Sequence, residues 1–408
     1  MPVPLAWERT PSGVPSCRPA GLRSQAEDAM PLIFPGTDSR RRRPVRVAFL
    51  TPTLLLGGAE RWMVSLARRC DHHRIVWTGT ALSDWAPAKP EICRELSAYM
   101  PIFAGPGAGP PDDCPSVVRC RSTFDAVRLA TQSADILVTW GLPDLGRLLA
   151  GIELPVVFVS HGAGDWTARA VQSSEPACSH FVAVSETALL PFRPQTRSRA
   201  IVLHNGVDVE RCAPTQPREI TRHSLGFDDQ DILIGYVGRF SFEKNPLAAA
   251  IAARKLGGRF HAIYCGEGWK EAEVRSAAEN IAGDRVRFIA HQRIVGNILS
   301  ALDVFMLASP AEGFSLSLTE AWYAGVPTVA TRVGAVPELE RSNGELVSAV
   351  PVNPSPRILA KAVLHAHSPD FRQVVVPRAQ HLVAELFTAS AMARRWTEYL
   401  ESVCCARP

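Results

Sequence analysis

From Val45 onward two kinds of pattern alternate along the chain. Short apolar runs rich in β-branched residues read as strands buried on both faces: Val45–Leu50, Ile75–Trp77, Asp135–Trp140, Val156–Ser160 and Phe181–Ser185. Segments with apolar positions three and four apart separate them and read as helices, including Ala59–Arg69 and Val117–Thr131. A second series follows, with strands Ile232–Val237, Phe260–Cys265, Val286–Ile289, Val304–Leu307 and Pro327–Ala330. Such alternation implies parallel sheets with helices on both faces. The Pro- and charge-rich stretch near Val209 to Gln216 separates the two series. A last helical pattern, about Arg378 to Ser402, has no strand after it.

This α/β pattern divides the chain into a leader (1–44), two Rossmann-like domains (45–211 and 212–377) and a C-terminal helix with its tail (378–408). Two such domains enclose a cleft, and ligands of parallel sheets bind beyond the carboxyl ends of the strands. The 408 residues suffice for two buried cores. The leader is rich in Pro and Arg, and its run Arg40-Arg41-Arg42-Arg43 fits a weak contact with an anionic membrane or a solvated, disordered segment.

Net charge changes the picture little. With 44 basic and 40 acidic residues the chain carries +4, which gives no reason to expect a nucleic-acid partner. No apolar run approaches the ~20 residues of a membrane span, and the start lacks a secretory pattern, so a cytoplasmic protein is expected. The ten cysteines show no metal-binding spacing and read as buried, reduced thiols.

Candidate chemistry collects at strand ends. Gly57-Gly58-Ala59-Glu60 joins the first strand to the first helix, where backbone can approach an anion or simply turn. Gly238-Arg239 ends the strand Ile232–Val237, and Lys244-Asn245-Pro246 follows. Asn245 suits a helix N-cap and Pro246 the first helical position, which sets two cations in one loop at the ligand edge. Glu312 lies in the loop after Val304–Leu307, while Glu320 lies inside the next helix. A helical span would separate them by roughly 12 Å, too far for a dyad acting on one bond but suited to a long ligand. Gly313, Phe314, Ser315 and Leu316 begin that helix and offer N–H groups to a phosphate. His161 ends the strand Val156–Ser160 and fits either a sugar contact or a packed core residue. The Asp229-Gln230-Asp231 triplet precedes a strand, at the edge away from ligands, and reads as a solvated turn.

Taken together these segments resemble glycosyltransferase family 4, retaining enzymes of the GT-B fold. Glu312-Gly313-Phe314 and Glu320, with seven residues between the glutamates, resemble the family's EGF…E signature. Gly238-Arg239 with Lys244-Asn245-Pro246, Gly266-Glu267-Gly268 and Asn205-Gly206-Val207-Asp208 continue the likeness. Gly57-Gly58-Ala59-Glu60 and Ser160-His161-Gly162 fit more loosely. Ser315 departs from the family's usual Gly.

The resemblance implies transfer of a sugar from a nucleotide-diphosphate-sugar donor to a hydroxyl acceptor in glycan or glycolipid synthesis, with no metal or other cofactor. It casts Arg239 and Lys244 as neutralising the diphosphate, Glu320 as holding the ribose and Glu312 as meeting the transferred sugar. His161 would bond that sugar, Gly58 would close on the diphosphate, and the last helix would cross back onto the N-terminal domain. The departing phosphate would take the acceptor's proton in front-face attack. The acceptor stays open: glycan, lipid-linked or small molecule, met by Leu54–Leu56 and the region from Pro101 to Cys120. Trp62 and Trp166 suit either stacking on a sugar or packing. A non-catalytic nucleotide-sugar-binding subunit remains the alternative. A nicotinamide-dependent dehydrogenase lacks its expected GxGxxG.

Overall fold

The computed structural model describes residues 43–83, 88–107, 117–142 and 145–405, apart from the Trp166 side chain. The leader up to residue 42 and the segment 108–116 of the expected acceptor region lie outside the described residues.

The N-terminal sheet holds β1 (Val45–Thr51), β2 (Ile75–Leu82), β3 (Ile102–Ala104), β4 (Val117–Arg119), β5 (Ile136–Thr139), β6 (Val156–Ser160), β7 (His180–Ala183) and β8 (Ile201–Val202). Their order is β4-β3-β2-β1-β5-β6-β7-β8, with every neighbouring pair parallel. The second sheet holds β9 (Ile232–Val237), β10 (Phe260–Gly266), β11 (Val286–Ala290), β12 (Val304–Leu307), β13 (Thr328–Thr331) and β14 (Ser348–Val350). It runs β11-β10-β9-β12-β13-β14 and is also parallel throughout. In both sheets the chain builds outward from one strand, then crosses to its other side. The switch points lie between β1 and β5 and between β9 and β12, where such folds open a crevice for ligands. This is the expected pair of Rossmann-like sheets.

The central strands are buried as their apolar runs require, with β1 buried at every position except Arg46 and β9 buried throughout. Short edge strands carry little pattern, so β3, β8 and β14 were not legible. The segment Val117–Thr131 is not one helix. Val117–Arg119 pairs with β3, and the helix Thr123–Thr131 starts after Ser122, whose side chain accepts the Asp125 N–H. That hydroxyl is the local stop signal between strand and helix.

The final helical pattern also differs from expectation. One helix spans Pro369–Leu386, and a second spans Ala389–Cys405. At the break, Val207 N–H donates to Phe387 O and Ala389 N–H donates to Val207 O, both at 2.7 Å. The two passages of chain between the halves are thereby stitched into one parallel bridge. Ala389–Cys405 then crosses back onto the N-terminal half, with Trp396 5.2 Å from Trp62 in an edge-on contact. Trp62 and Trp396 are fully buried, so Trp62 packs and is not available to stack on a sugar.

Arg43, the described end of the basic run, forms two hydrogen bonds to the Asp135 carboxylate, at 3.0 and 3.1 Å. That cation is committed to the fold. No disulfide joins the described cysteines, and burial pushes the thiols of Cys70 and Cys265 up to about 12. Among the described residues no helix is long and apolar enough to cross a membrane.

Candidate active site

The carboxyl ends of β1, β6, β9, β10 and β12 open on one cleft of about 1030 Å³. Every candidate residue lines it: Gly57, Gly58, His161, Arg239, Lys244, Gly266, Glu312, Gly313, Phe314, Ser315, Leu316 and Glu320.

On the C-terminal side the two cations stand in the loop after β9. Arg239 donates to Glu243 at 2.5 Å, and its guanidinium lies 4.6 Å from the centre of the Trp269 ring. Lys244 Nζ donates to Glu312 Oε2 at 2.9 Å. The pair with Glu243 is largely exposed and weak, so a diphosphate can take Arg239 from it at small cost. Glu312 is mostly buried, so its pair with Lys244 is firmer and fixes both side chains at the cleft floor. Asn245 does not cap the next helix. It takes a left-handed conformation at φ 48° after the 3-10 turn Phe242–Lys244, and the helix begins at Leu247. Its amide donates to Ala308 O at 3.2 Å, tying this loop to the one that carries Glu312. An Asn tolerates that backbone better than most residues, which is the signal the N-cap reading misused.

The second glutamate sits as expected, inside the helix Leu316–Tyr323. Ser315 is its N-cap, its hydroxyl accepting the Leu318 N–H at 3.4 Å. Serine thus supplies a cap at the position where it departs from glycine. The Phe314 ring is buried against His204 and Phe387, with ring centres 5.6 and 5.3 Å away. Burial raises the Glu320 pKa, while Arg211 and Arg61 act against that shift.

The N-terminal wall is quieter. Helix Gly58–Arg69 starts after Gly57, and the Glu60 carboxylate folds back over that start. A Cβ on Gly57 would lie 2.5 Å from Glu60 Oε2, so this glycine makes room for Glu60. Glu60 is itself buried and accepts the Thr53 hydroxyl at 2.5 Å, which shapes the Thr53–Gly58 loop. Gly58 instead faces the other wall, with Leu316 Cδ1 4.0 Å from where its Cβ would be. Of the apolar loop Leu54–Leu56, Leu54 is buried in the core, while Leu55 and Leu56 line the cleft.

His161 lies beside Trp62 and Trp140, with ring centres 4.9 and 6.0 Å away. Both ring nitrogens are shut off from solvent and bond to no protein group. Burial pushes its pKa down to about 3, so the ring is neutral at ordinary pH. The walls touch here: a Cβ on Gly313 would collide with the His161 carbonyl.

Two polar residues of this site, and one outside its lining, escaped the sequence reading. Asn205 lines the cleft, buried, with its Oδ1 unbonded, and Arg211 has Nε and Nη1 in the same condition. Asn205 belongs to the junction motif and Arg211 to the linker after it, both read only as a boundary. Glu338 is buried on the C-terminal side and binds two groups of the other half: the Glu186 N–H and His204 Nε2, each at 2.6 Å. No sequence signal singled it out. Asp231 of the acidic triplet pairs with His261 at 3.1 Å ahead of β9, away from the cleft. Among the described residues no cluster has the composition of a metal site.

The fold is that of the GT-B glycosyltransferases. Anabaena Alr3699/HepE, solved in complex with UDP-glucose, is similar to it with a TM-score of 0.70 at 18% identity, over 88% of this chain and 99% of that one. Residues 217–369 match the family model described as Glycosyl transferases group 1. The chain is 30% identical over 155 residues to the lipopolysaccharide core biosynthesis mannosyltransferase LpsB of Rhizobium meliloti, covering 36% of this chain and 44% of that protein. It is 32% identical over 162 residues to a D-inositol 3-phosphate glycosyltransferase of Mycolicibacterium smegmatis, covering 38% and 37%. The chain therefore spans less than half the length of these relatives. The matched family segment carries Arg239, Lys244, Gly266, Glu312 and Glu320, and leaves out the whole N-terminal wall.

Proposed function

We propose that this chain is a retaining glycosyltransferase that takes a sugar from a nucleoside diphosphate sugar, with 212–377 as donor domain and 45–211 as acceptor domain. The observation that carries the reading is the convergence of Arg239, Lys244, Glu312, Glu320 and His161 on one cleft between two Rossmann-like sheets. Breaking the sugar–phosphate bond builds negative charge on the diphosphate. Arg239, Lys244 and the N–H groups at Gly313 to Leu316 meet that charge without a metal ion in this proposal. Glu320 receives the ribose hydroxyls and Glu312 the transferred sugar. The neutral His161 ring, its nitrogens closed off and unbonded here, bonds that sugar near its reacting carbon once the walls part to admit the donor. The departing phosphate takes the acceptor proton, and attack on the same face preserves the anomeric configuration. Closure of Gly58 toward Leu316 excludes water and so limits donor hydrolysis. The acceptor belongs to glycan or glycolipid synthesis, as the likeness to the lipopolysaccharide core mannosyltransferase suggests.

The test is a screen of UDP-, GDP- and ADP-sugars for binding and slow hydrolysis, with wild type beside Arg239→Ala and Glu320→Ala. Selective binding and turnover of one donor, lost in both variants, is the expected result. Binding without any turnover, even with acceptors supplied, would favour a non-catalytic subunit. Failure of folded protein to bind any nucleotide sugar would overturn the donor site.

A further inference from the structure

Arg211 stands on the short helix Val209–Cys212, where the chain leaves the N-terminal half. Asp208 caps that helix, its carboxylate accepting the Glu210 N–H at 3.3 Å. Asp208 and Glu210 are in turn gripped by Arg68 and Arg69, at the end of the helix Gly58–Arg69. The acidic residues of the segment therefore anchor it to the N-terminal half. Arg211 meanwhile lines the cleft, and its Nη2 is 3.9 Å from Glu320 Oε1.

Two features make this pair more than a surface contact. Both side chains are mostly buried, so the charges are poorly screened. Arg211 Nε and Nη1 are inaccessible to solvent and have no protein acceptor. A guanidinium has five N–H donors in a rigid fork, and burying donors unpaired is costly. A cleft that keeps such a group beside a carboxylate is organised for an oxygen-rich ligand.

We propose that Arg211 is a positioning residue for donor recognition: its guanidinium holds the Glu320 carboxylate in the orientation that receives the ribose hydroxyls. The preference for ribose over deoxyribose nucleotides then depends on Arg211 as well as on Glu320. This rests on the reading that Glu320 binds the ribose. The pair spans the two halves, so it also links ribose recognition to the placing of the junction segment. The charged groups acting on Glu320 are Arg211, Arg61 and Asp208, and the buried thiols of Cys212 and Cys265 lie within its influence. Arg211 is the strongest of the groups favouring the charged carboxylate against burial. Its loss leaves Glu320 to take up a proton at a higher pH.

The experiment measures binding of UDP, GDP and ADP, each beside its 2′-deoxy counterpart, by calorimetry. The proteins are wild type, Glu320→Gln, Arg211→Met and Arg211→Lys. Wild type should prefer the ribose form of its base by about tenfold, the worth of a charge-assisted hydrogen bond. Glu320→Gln and Arg211→Met should both erase most of that preference, and Arg211→Lys should restore part of it. In wild type the preference falls as pH drops through the Glu320 pKa; in Arg211→Met the fall should begin at higher pH. A merely structural role would weaken ribose and deoxyribose forms equally. If Arg211→Met does that, or leaves the preference intact while Glu320→Gln removes it, the positioning role is overturned and the ribose reading stands. If Glu320→Gln keeps the preference, or no nucleotide binds to folded wild type, the ribose reading falls and the role of Arg211 with it.

Discussion

The C-terminal wall of the cleft presents charged side chains, Arg239, Lys244, Glu312 and Glu320. Of the candidate residues, the N-terminal wall supplies a glycine and a neutral ring, Gly58 and His161, with Glu60, Arg61 and Asp165 also lining that side. The charges of the first wall are held by partners: Arg239 by Glu243, Lys244 by Glu312 and Glu320 by Arg211. The second wall is held by packing. Phe49, Trp62, Trp140, Trp396 and His161 form a chain of ring contacts under the cleft. Ion pairs can be exchanged for a ligand's charges, while packed rings fix a position without competing for it. The contrast suits a wall that grips a diphosphate and a wall that only closes on the sugar.

The largest effect that would expose this contrast lies in the ring cluster. Trp396→Ala removes a fully buried side chain and should cost about 3–5 kcal/mol of stability, read by urea unfolding. Nucleotide affinity of the still-folded protein should change little, because the gripping wall is elsewhere. A parallel loss of affinity would show that the walls cannot be separated.

Next come the cations. Arg239→Ala should lower transfer by about 10²–10³-fold, or ~2.7–4 kcal/mol, with stability almost unchanged. Its exposed pair with Glu243 contributes no more than about 1 kcal/mol. Lys244→Ala should lower transfer similarly but also destabilise the fold, because Glu312 is mostly buried and would lose its counter-charge. Equal melting temperatures for the two variants would contradict the assigned difference between the pairs.

The same contrast explains what the sequence made legible. The C-terminal wall is built from contiguous loops, so Arg239, Lys244, Glu312 and Glu320 announce themselves by spacing. Even there Asn245 misled, because the same residue type serves N-caps and left-handed turns. The N-terminal wall is assembled from distant positions. Trp62 and Trp396 meet only because the last helix breaks at Phe387 and turns back, and no local pattern forecast that break. The strand β4 was read as part of a helix because three residues at a sheet edge are too few to show a period of two. Arg211 and Asn205 stood in recognised segments, yet their burial depends on how the junction folds.

His161 gives a smaller effect with a defined pH signature. Its ring stays neutral down to about pH 3, so the activity profile should show no step near the ordinary histidine value of 6.5. Stability should respond differently. Below 6.5 the unfolded chain binds a proton that the folded ring refuses, so stability falls as pH drops from 6.5 toward 3. The slope from this group is at most about 1.4 kcal/mol per pH unit. His161→Asn should flatten that part of the decline and lower transfer about tenfold through the lost sugar contact. An activity step near 6.5 that vanishes in the variant would mean the ring is charged when the cleft works.

The smallest effect lies where the two walls meet by charge alone. Lys89, just before the helix Pro90–Ser97, pairs across the cleft with Glu267 at 2.7 Å. Both side chains are partly exposed, so the pair contributes about 0.2–1 kcal/mol and is screened by salt. Glu267 follows Gly266 at the end of β10 and lines the cleft, so this bridge ties the cleft's C-terminal rim to the N-terminal half. Lys89→Ala should leave the chemical step unchanged and speed nucleotide release severalfold at low salt. Raising the salt should produce the same acceleration in wild type and little further change in the variant. Stopped-flow release of a fluorescent nucleotide reads both. A bridge that matters only at low ionic strength is a latch between the walls; an effect of Lys89→Ala that survives high salt would instead place Lys89 in direct contact with the donor.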